Sequence, residues 1–192
     1  MKGVSWRGLA RLASITLCVA GVAQFAMGAV VPVKATVAQL LLARAFDRSV
    51  VTHRPQKPWS WADMAVVARV SVPRLGVDRV VLDMGSGQAM AFGPTLLPGG
   101  ARLGDPGTAV IAAHRDTHFR FLQYVRTGDM IDVESIDGTT RKYRVTNARI
   151  VRWDRFAIAA DGPASQLALS TCYPFGAMDH GPLRYVVYAS PV

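Results

Sequence analysis

The fold is decided by the stretch Met130-Ile-Asp-Val-Glu-Ser-Ile-Asp-Gly-Thr-Thr-Arg-Lys-Tyr-Arg-Val-Thr-Asn-Ala-Arg-Ile-Val151. Its two ends, Met130 to Glu134 and Arg141 to Val151, contain β-branched residues, and Asp137-Gly138 lies between them. An Asp-Gly pair between two such runs is a strong signal for a β-hairpin, because both residues accept the backbone angles of a tight turn. The stretch therefore predicts two antiparallel strands joined by a turn.

Short β-branched runs punctuated by Gly and Pro recur throughout the chain after Met64. Besides the two runs above, they are Ala65 to Val72, Val77 to Leu82, Thr108 to Ala113, Gln166 to Thr171 and Leu183 to Ala189. Regularly spaced short strands with turn signals are typical of an antiparallel sandwich or barrel. Within this part we expect little helix: one turn near Gln88 to Phe92 and another near Phe119 to Val125.

The N-terminus is basic over residues 1–11 and then apolar and uncharged from Leu12 to Val31. About 20 apolar residues are what a helix needs to cross a bilayer. The basic flank favours a cytoplasmic segment over residues 1–11, a single transmembrane anchor over 12–31, and a folded part that faces outward. A cleaved signal peptide is the alternative, since Ala26-Met27-Gly28 offers the small residues that a processing enzyme prefers. Both interpretations export the folded part.

Residues 32–63 connect this anchor to the strands. The apolar spacing from Lys34 to about Arg48 predicts a short amphipathic helix. His53 to Trp59 contains two prolines and no periodicity, so we expect a tether there. The strand-rich domain is then expected to span residues 64–192, which suits a chain of 192 residues with room for one sizeable core.

The chain carries a formal net charge of +9, but its basic residues are scattered. A nucleic-acid platform would need clustered basic residues interleaved with aromatic ones, so we expect no nucleic-acid partner. A solvated basic surface beside anionic lipids explains the charge better.

Three polar residues lie at the ends of apolar runs or within one. His114 follows Thr108 to Ala113, Cys172 follows Gln166 to Thr171, and Arg184 lies inside the last run. A nucleophilic thiol needs a nearby imidazole to share its proton, and a guanidinium is a permanently charged donor for an oxyanion. Cys172 is a candidate reactive thiol, because the other cysteine, Cys18, lies inside the apolar segment and no disulfide is expected between them.

The sequence Thr108-Ala-Val-Ile-Ala-Ala-His-Arg-Asp-Thr-His-Phe119 resembles the histidine segment of sortases. Leu169-Ser-Thr-Cys-Tyr-Pro-Phe175 resembles their cysteine segment, and Leu183-Arg-Tyr-Val-Val187 resembles the strand that carries their arginine. The similarity spans about Met64 to Val192. The histidine and cysteine segments most resemble those of the small sortases of Gram-negative bacteria, which are similar to classes D and E. The family keeps the same order of the three residues.

The resemblance implies a mostly β protein: an eight-stranded sortase-like β-barrel behind an N-terminal transmembrane helix. It further implies a cysteine transpeptidase that cleaves a C-terminal sorting signal of a client protein and transfers the client to an amine acceptor. Cys172 would be the nucleophile, His114 the general acid and base, and Arg184 the donor to the oxyanion or the substrate backbone. The domain would be extracytoplasmic at the cell membrane, on the periplasmic side of a Gram-negative cell.

Two positions depart from the family pattern: Ala113 stands where Gly is common, and Ala168 where Thr is common. His118 and His180 are alternatives for the base. His114 and His118 also have the spacing of paired metal ligands, but the metalloprotease helix motif requires Glu after its first His and this chain has Arg115. Asp116 is expected either to orient a histidine or to cap the turn before Phe119.

We therefore expect no metal site and no cofactor, since the sequence also lacks a phosphate-cradling glycine motif or a calcium loop. Two alternatives to a transpeptidase remain. One is a hydrolytic cysteine peptidase, in which water resolves the same thioester. The other is a membrane-tethered, non-catalytic binding module in which Cys172 is structural.

Overall fold

A computed structural model describes residues 6–83, 87–156, 158, 161–177, 179 and 181–192. The chain divides between Leu40 and Leu41 into two compact units. Helix α1 runs from Trp6 to Thr52. The sequence predicted a separate amphipathic helix from Lys34, whereas the structure continues one helix through this segment. Residues 33–52 contain no Gly or Pro, and an existing helix gains a hydrogen bond with each residue it adds.

The first unit presents an apolar surface along α1. Leu12, Leu17 and Phe25 are 65%, 75% and 81% exposed, and the most apolar window of the helix is wholly unburied. The helix is long and apolar enough to cross a membrane by length and composition.

The second unit contains a closed barrel of eight strands in the order β1-β2-β3-β4-β7-β8-β6-β5. The strands are β1 (Val66–Val72), β2 (Val77–Leu82), β3 (Thr95–Leu96), β4 (Gly107–Ala112), β5 (Met130–Ser135), β6 (Thr140–Arg152), β7 (Ser165–Cys172) and β8 (Leu183–Pro191). Helix α2 (Gly87–Phe92) and 3-10 turns at Pro73–Leu75, Arg120–Tyr124 and Trp153–Arg155 lie between them. Both helical turns that the sequence predicted in this region are therefore confirmed.

The strand pairing confirms a barrel and corrects the expectation of a purely antiparallel sheet. β2 pairs with β3 and β4 pairs with β7 in parallel, and the other pairs are antiparallel. The runs that the sequence analysis identified correspond to seven of the eight strands. β3 was missed because its two residues are too few to show a periodic pattern.

The predicted hairpin joins β5 to β6, with Glu134 opposite Thr140. The Ser135 N–H donates to the Thr139 carbonyl at 3.0 Å, which closes the turn. Gly138 has a φ of 80°, a left-handed conformation that glycine adopts without strain.

Alternate residues of each strand fill the interior of the barrel. β1 shows the pattern clearly, because Ala68, Val70 and Val72 are fully buried and the residues between them are partly exposed. The interior cluster also contains Tyr143 of β6 and two residues of the segment between β4 and β5, Phe119 and Leu122.

A second apolar cluster joins the end of α1 to the barrel. Leu42, Ala45 and Phe46 are at most 1% exposed and pack with residues that include Met64 and Leu82. The Arg69 guanidinium of β1 lies 4.4 Å from the centre of the Phe46 ring. The compact unit therefore includes the end of α1 and begins at Leu41.

We predict that Phe46→Ala destabilises the full chain by about 3–5 kcal/mol, because it removes a buried ring and leaves a cavity. Urea unfolding in detergent micelles, followed by the near-ultraviolet circular dichroism of the barrel, measures the loss. Val51→Ala, on the same helix at a position that is 81% exposed, is the matched control and should change stability little. Equal effects of both substitutions would contradict the packing described here.

Candidate active site

His114 lies just beyond β4, on the outer face of the barrel. The parallel ladder aligns Ala112 of β4 with Ser170 of β7, and the Ala113 N–H extends it by donating to the Ser170 carbonyl at 3.2 Å. Ile111 and Ala113 are buried in the interior cluster, so the alternation of side chains directs His114 outward. His114 is exposed.

Cys172 and Arg184 are direct partners in the antiparallel ladder between β7 and β8. Leu167 and Leu169 of β7 face the interior cluster, so Cys172, at odd spacing from them, faces outward. Residues opposite each other in a ladder share a face, which places Arg184 on the same side. Both side chains are partly buried.

The three predicted residues therefore occupy neighbouring strands at one end of the outer face. His114 is two positions beyond Ala112, and Cys172 is two positions beyond its partner Ser170. Adjacent strands lie about 4.8 Å apart, so the backbones of these residues are close neighbours. The strand register thus makes His114, Cys172 and Arg184, which the sequence predicted as a group, neighbours on one outer face.

A buried hydrogen bond fixes the ends of β4 and β7 to each other. The Thr171 hydroxyl donates to the Ala113 carbonyl at 2.7 Å, and the two residues are 2% and 4% exposed. Each is the direct neighbour of a predicted site residue. The sequence analysis did not single out Thr171, because a threonine in a strand has no local feature that reveals its partner.

The Arg184 side chain is held by backbone carbonyls at the start of β8. Its Nη1 donates to Gly181 at 3.0 Å and to Leu183 at 2.9 Å. These bonds fix the guanidinium at the start of β8, on the residue that pairs with Cys172. A guanidinium is a permanently charged donor of the kind that stabilises an oxyanion.

The outer face continues from Cys172 into an apolar surface on the same strands. Val110, Ala168 and Val186 are fully buried there, beneath Phe156 and Tyr188 among others. A cleft of about 340 Å³ borders this surface, and it is lined by side chains that include Phe156 and Tyr188. Ala168, one of the departures from the family pattern, therefore lies within an apolar layer.

His118 occupies a different environment from His114. It is partly buried, its ring is hydrogen-bonded to the backbone of Ala91, and burial lowers its pKa, as do the nearby Arg79 and His114. Asp116 neither caps the following turn nor contacts a histidine through a described hydrogen bond; its carboxylate lies 3.6 Å from Arg115 Nε. His180 lies outside the described residues.

The described residues contain no group of three or more His, Cys, Asp or Glu side chains placed to hold a metal ion. Cys18 and Cys172 are both free thiols. The sequence analysis considered Arg115 only as the residue that breaks the metalloprotease motif. In the structure it is 5% exposed and bonded to the loop between Cys172 and Arg184.

Together, the closed barrel and the thiol between a histidine and an arginine on its outer face define a class of β-barrel proteins with a candidate cysteine active site. A family model described as the Sortase domain matches residues 70–192. The chain belongs to the sortase family.

Individual relatives agree with this assignment. Sortase D of Bacillus subtilis (strain 168) is 32% identical over 87 residues, which are 45% of this chain and 43% of that protein. The match thus spans less than half the length of that relative. Among solved structures, sortase A from Corynebacterium diphtheriae has a TM-score of 0.62 at 24% identity and covers 82% of this chain and 85% of its own. Sortase C-1 from Actinomyces oris has a TM-score of 0.59 at 24% identity, covering 65% and 73%.

We predict that Thr171→Val lowers stability by about 1–3 kcal/mol, because it leaves the buried Ala113 carbonyl without its donor. Thr146→Val is the matched control: the Thr146 hydroxyl also donates to a strand carbonyl, that of Tyr188 at 3.1 Å, but at an exposed site where water replaces it. Urea midpoints of the two variants decide the matter. A control variant as unstable as Thr171→Val would contradict the importance of this bond.

We predict that His118 titrates below the ordinary histidine value of about 6.5. When the pKa is lower in the folded state, the unfolded chain binds more protons at a pH near or below the unfolded pKa, and acid then favours unfolding. The stability that neutral His118 contributes should therefore be fully present above its unfolded pKa and should be lost as the pH falls through its folded pKa. Side-chain NMR titration measures the shift, and unfolding of His118→Gln should depend less on pH between about 7 and 5 than unfolding of the parent. Equal pH dependence would refute the prediction.

Proposed function

We propose that the chain is a membrane-tethered cysteine transpeptidase with Cys172 as nucleophile, His114 as general acid and base, and Arg184 as oxyanion or backbone donor. The observation that carries the proposal is the register of β4, β7 and β8, which puts the three residues side by side on one outer face. The family supports it, since sortases are generally transpeptidases.

In the first half-reaction, Cys172 passes its thiol proton to His114, and the sulfur attacks the carbonyl carbon of a Thr-Gly type bond in a client protein. A carbon–sulfur bond forms and the carbonyl oxygen becomes an oxyanion, to which Arg184 donates. When the carbon–nitrogen bond breaks, His114 protonates the departing amine. The products are a thioester on Cys172 and the released C-terminal segment of the client.

In the second half-reaction, the amine acceptor attacks the thioester. His114 removes the proton of the attacking amine, a new amide bond forms, and the thiol leaves. Water in place of the amine would give hydrolysis instead, which is the peptidase alternative. The two outcomes share every residue of the site, so product analysis separates them.

The apolar outer surface supports a peptide as the first substrate. Phe156 and Tyr188 cover the buried Val110, Ala168 and Val186 on the face that carries Cys172, and the cleft that they line would hold an apolar part of an extended peptide. The N-terminal part of α1 supports membrane attachment through residues 12–31, with residues 1–11 cytoplasmic and the barrel domain, residues 64–192, outside. The client carrying a C-terminal sorting signal and the amine acceptor would then meet the enzyme at the outer surface of the membrane.

The test uses the full chain in detergent, a set of peptides with a Thr-Gly bond in varied context, and glycine-based or diamine acceptors. We expect intact mass to show an acyl adduct on Cys172 and a peptide–amine product. Cys172→Ala should abolish both, and His114→Ala and Arg184→Ala should lower turnover by about 100-fold or more. A hydrolysed product that does not change with added amine would establish the peptidase instead.

Alkylation of the thiol gives a readout that needs no peptide. If His114 shares the proton of Cys172, iodoacetamide should label Cys172 more slowly in His114→Ala than in the parent. His53→Ala alters an exposed histidine at the end of α1 and is the control. Slow labelling that ignores His114, together with no acyl adduct and no turnover in the parent, would leave only the binding module.

A further inference from the structure

The loop from Tyr173 to Pro182 separates the candidate nucleophile from the candidate arginine. Its first part is anchored by aromatic rings: Phe175 lies 5.3 Å from Tyr185 and 6.3 Å from Tyr173, between ring centroids. The Tyr173 N–H also donates to the Leu183 carbonyl at 3.0 Å. The second part of the loop has no such apolar anchor among its described residues and needs another means of fixation.

That means is the Arg115 side chain. Its Nη2 donates to the backbone carbonyl of Ala177 and, at 2.8 Å, to that of Asp179. Arg115 is 5% exposed and directly follows His114 in the chain. We propose that Arg115 is a positioning residue, which clamps the loop between Cys172 and Arg184 to the segment that carries His114. This inference rests on the proposed function.

The contacts form a continuous chain through the site. Arg115 holds the loop at Ala177 and Asp179, and two residues further on the Gly181 carbonyl accepts a hydrogen bond from Arg184 Nη1. The loop therefore supplies one of the two carbonyls that hold the Arg184 guanidinium, and the other is that of Leu183. Because Arg115 directly follows His114, its side chain connects the segment that carries His114 to the loop that precedes Arg184.

The energetics favour a functional role over a purely stabilising one. A buried guanidinium loses its hydration. Among the described residues, Arg115 gains in return the two carbonyls and the Asp116 carboxylate, which lies 3.6 Å away and is 64% exposed. Its Nη1 is buried and has no hydrogen-bond partner within the part of the chain that the structure describes. A buried cation with an unpartnered donor is weak evidence for a stabilising role, and departures of this kind from local stability are expected at functional sites.

An anion-binding role is the rival explanation. Arg115 lines a cleft of about 270 Å³ together with Arg120 and Phe175, and two guanidiniums in one cleft also suit a carboxylate ligand. The two explanations differ in which residues matter. A clamp depends on Arg115 alone, whereas an anion site depends on both arginines and acts on substrate affinity.

Loop mobility is the first measurement, made by hydrogen–deuterium exchange on the full chain in detergent. Arg115→Gln should speed exchange in residues 173–182 several-fold and leave the strands unchanged, because the loop loses its two side-chain bonds. The same comparison in a Cys172→Ala background needs no activity, so it tests the clamp even if the proposed function fails. Unchanged exchange in the loop would overturn the clamp.

Kinetics are the second measurement, with a Thr-Gly peptide and a glycine acceptor. Arg115→Gln should lower kcat by about 10- to 100-fold with KM nearly unchanged, since misplacement of a reacting group by about 1 Å can have that effect. Arg115→Lys should recover part of the rate, and Arg144→Gln, at an exposed position on β6, should change nothing. If Arg115→Gln fails to fold, Arg115→Lys decides by its loop exchange, which must be faster than that of the parent.

Arg120→Gln separates the clamp from the anion site. A clamp predicts normal kcat and KM in this variant. A raised KM for peptide or amine in both Arg115→Gln and Arg120→Gln, with kcat preserved, would overturn the clamp in favour of the anion site. Turnover that survives Cys172→Ala would instead reject the proposed function, while the exchange result would still stand.

Discussion

Hydrogen bonding between β4 and β7 is the constraint on which the site depends. The two strands run parallel, and parallel partners cannot be joined by a tight turn, so a long stretch of chain must separate them. Thr171 and Ala113, whose hydroxyl and carbonyl join the strand ends, are 58 residues apart. A shift of one residue in this register would turn Cys172 toward the interior and leave His114 without a thiol beside it.

The antiparallel pairing of β7 with β8 then adds the arginine through a short connection. Only the loop after Cys172 separates the two strands, so the guanidinium returns to the thiol along the neighbouring strand. The outer face is therefore assembled from one distant and one near connection. A rigid barrel holds the strands, while the loop determines where the tip of the Arg184 side chain lies.

Local signals predicted most of the strands, and their failures have physical causes. The Asp-Gly turn identified β5 and β6 because a hairpin is encoded by adjacent residues. β3 contributes two residues, which no periodicity can reveal. The parallel sense of β4 and β7 was missed because a buried strand has the same composition whether its partner runs with it or against it. The continuity of α1 past Lys34 was missed because the uncharged apolar run ends at Val31 and an amphipathic pattern begins at Lys34, although the helix itself continues.

For the site, the sequence predicted the residue types and the resemblance predicted their roles, but neither predicted the contacts that hold them. Thr171 and Arg115 both belong to the quoted segments and both bond to backbone carbonyls of residues far away in the chain. Backbone carbonyls are present at every position, so a sequence carries no mark of which one a side chain will reach.

A comparison of two arginines shows why Arg115 differs from a residue kept for stability. Arg74 is 42% exposed and bonds both carboxylate oxygens of Asp129, at 2.6 and 2.7 Å, and this pairing lowers the pKa of Asp129. That arrangement keeps the cation hydrated and neutralises its buried partner, as a stabilising pair should. Arg115 instead gives up its hydration for two backbone carbonyls in the second part of the loop, those of Ala177 and Asp179. The cost of burying the Arg115 guanidinium therefore agrees with the proposed clamp, in which Arg115 fixes the loop that follows Cys172 and geometry matters more than stability.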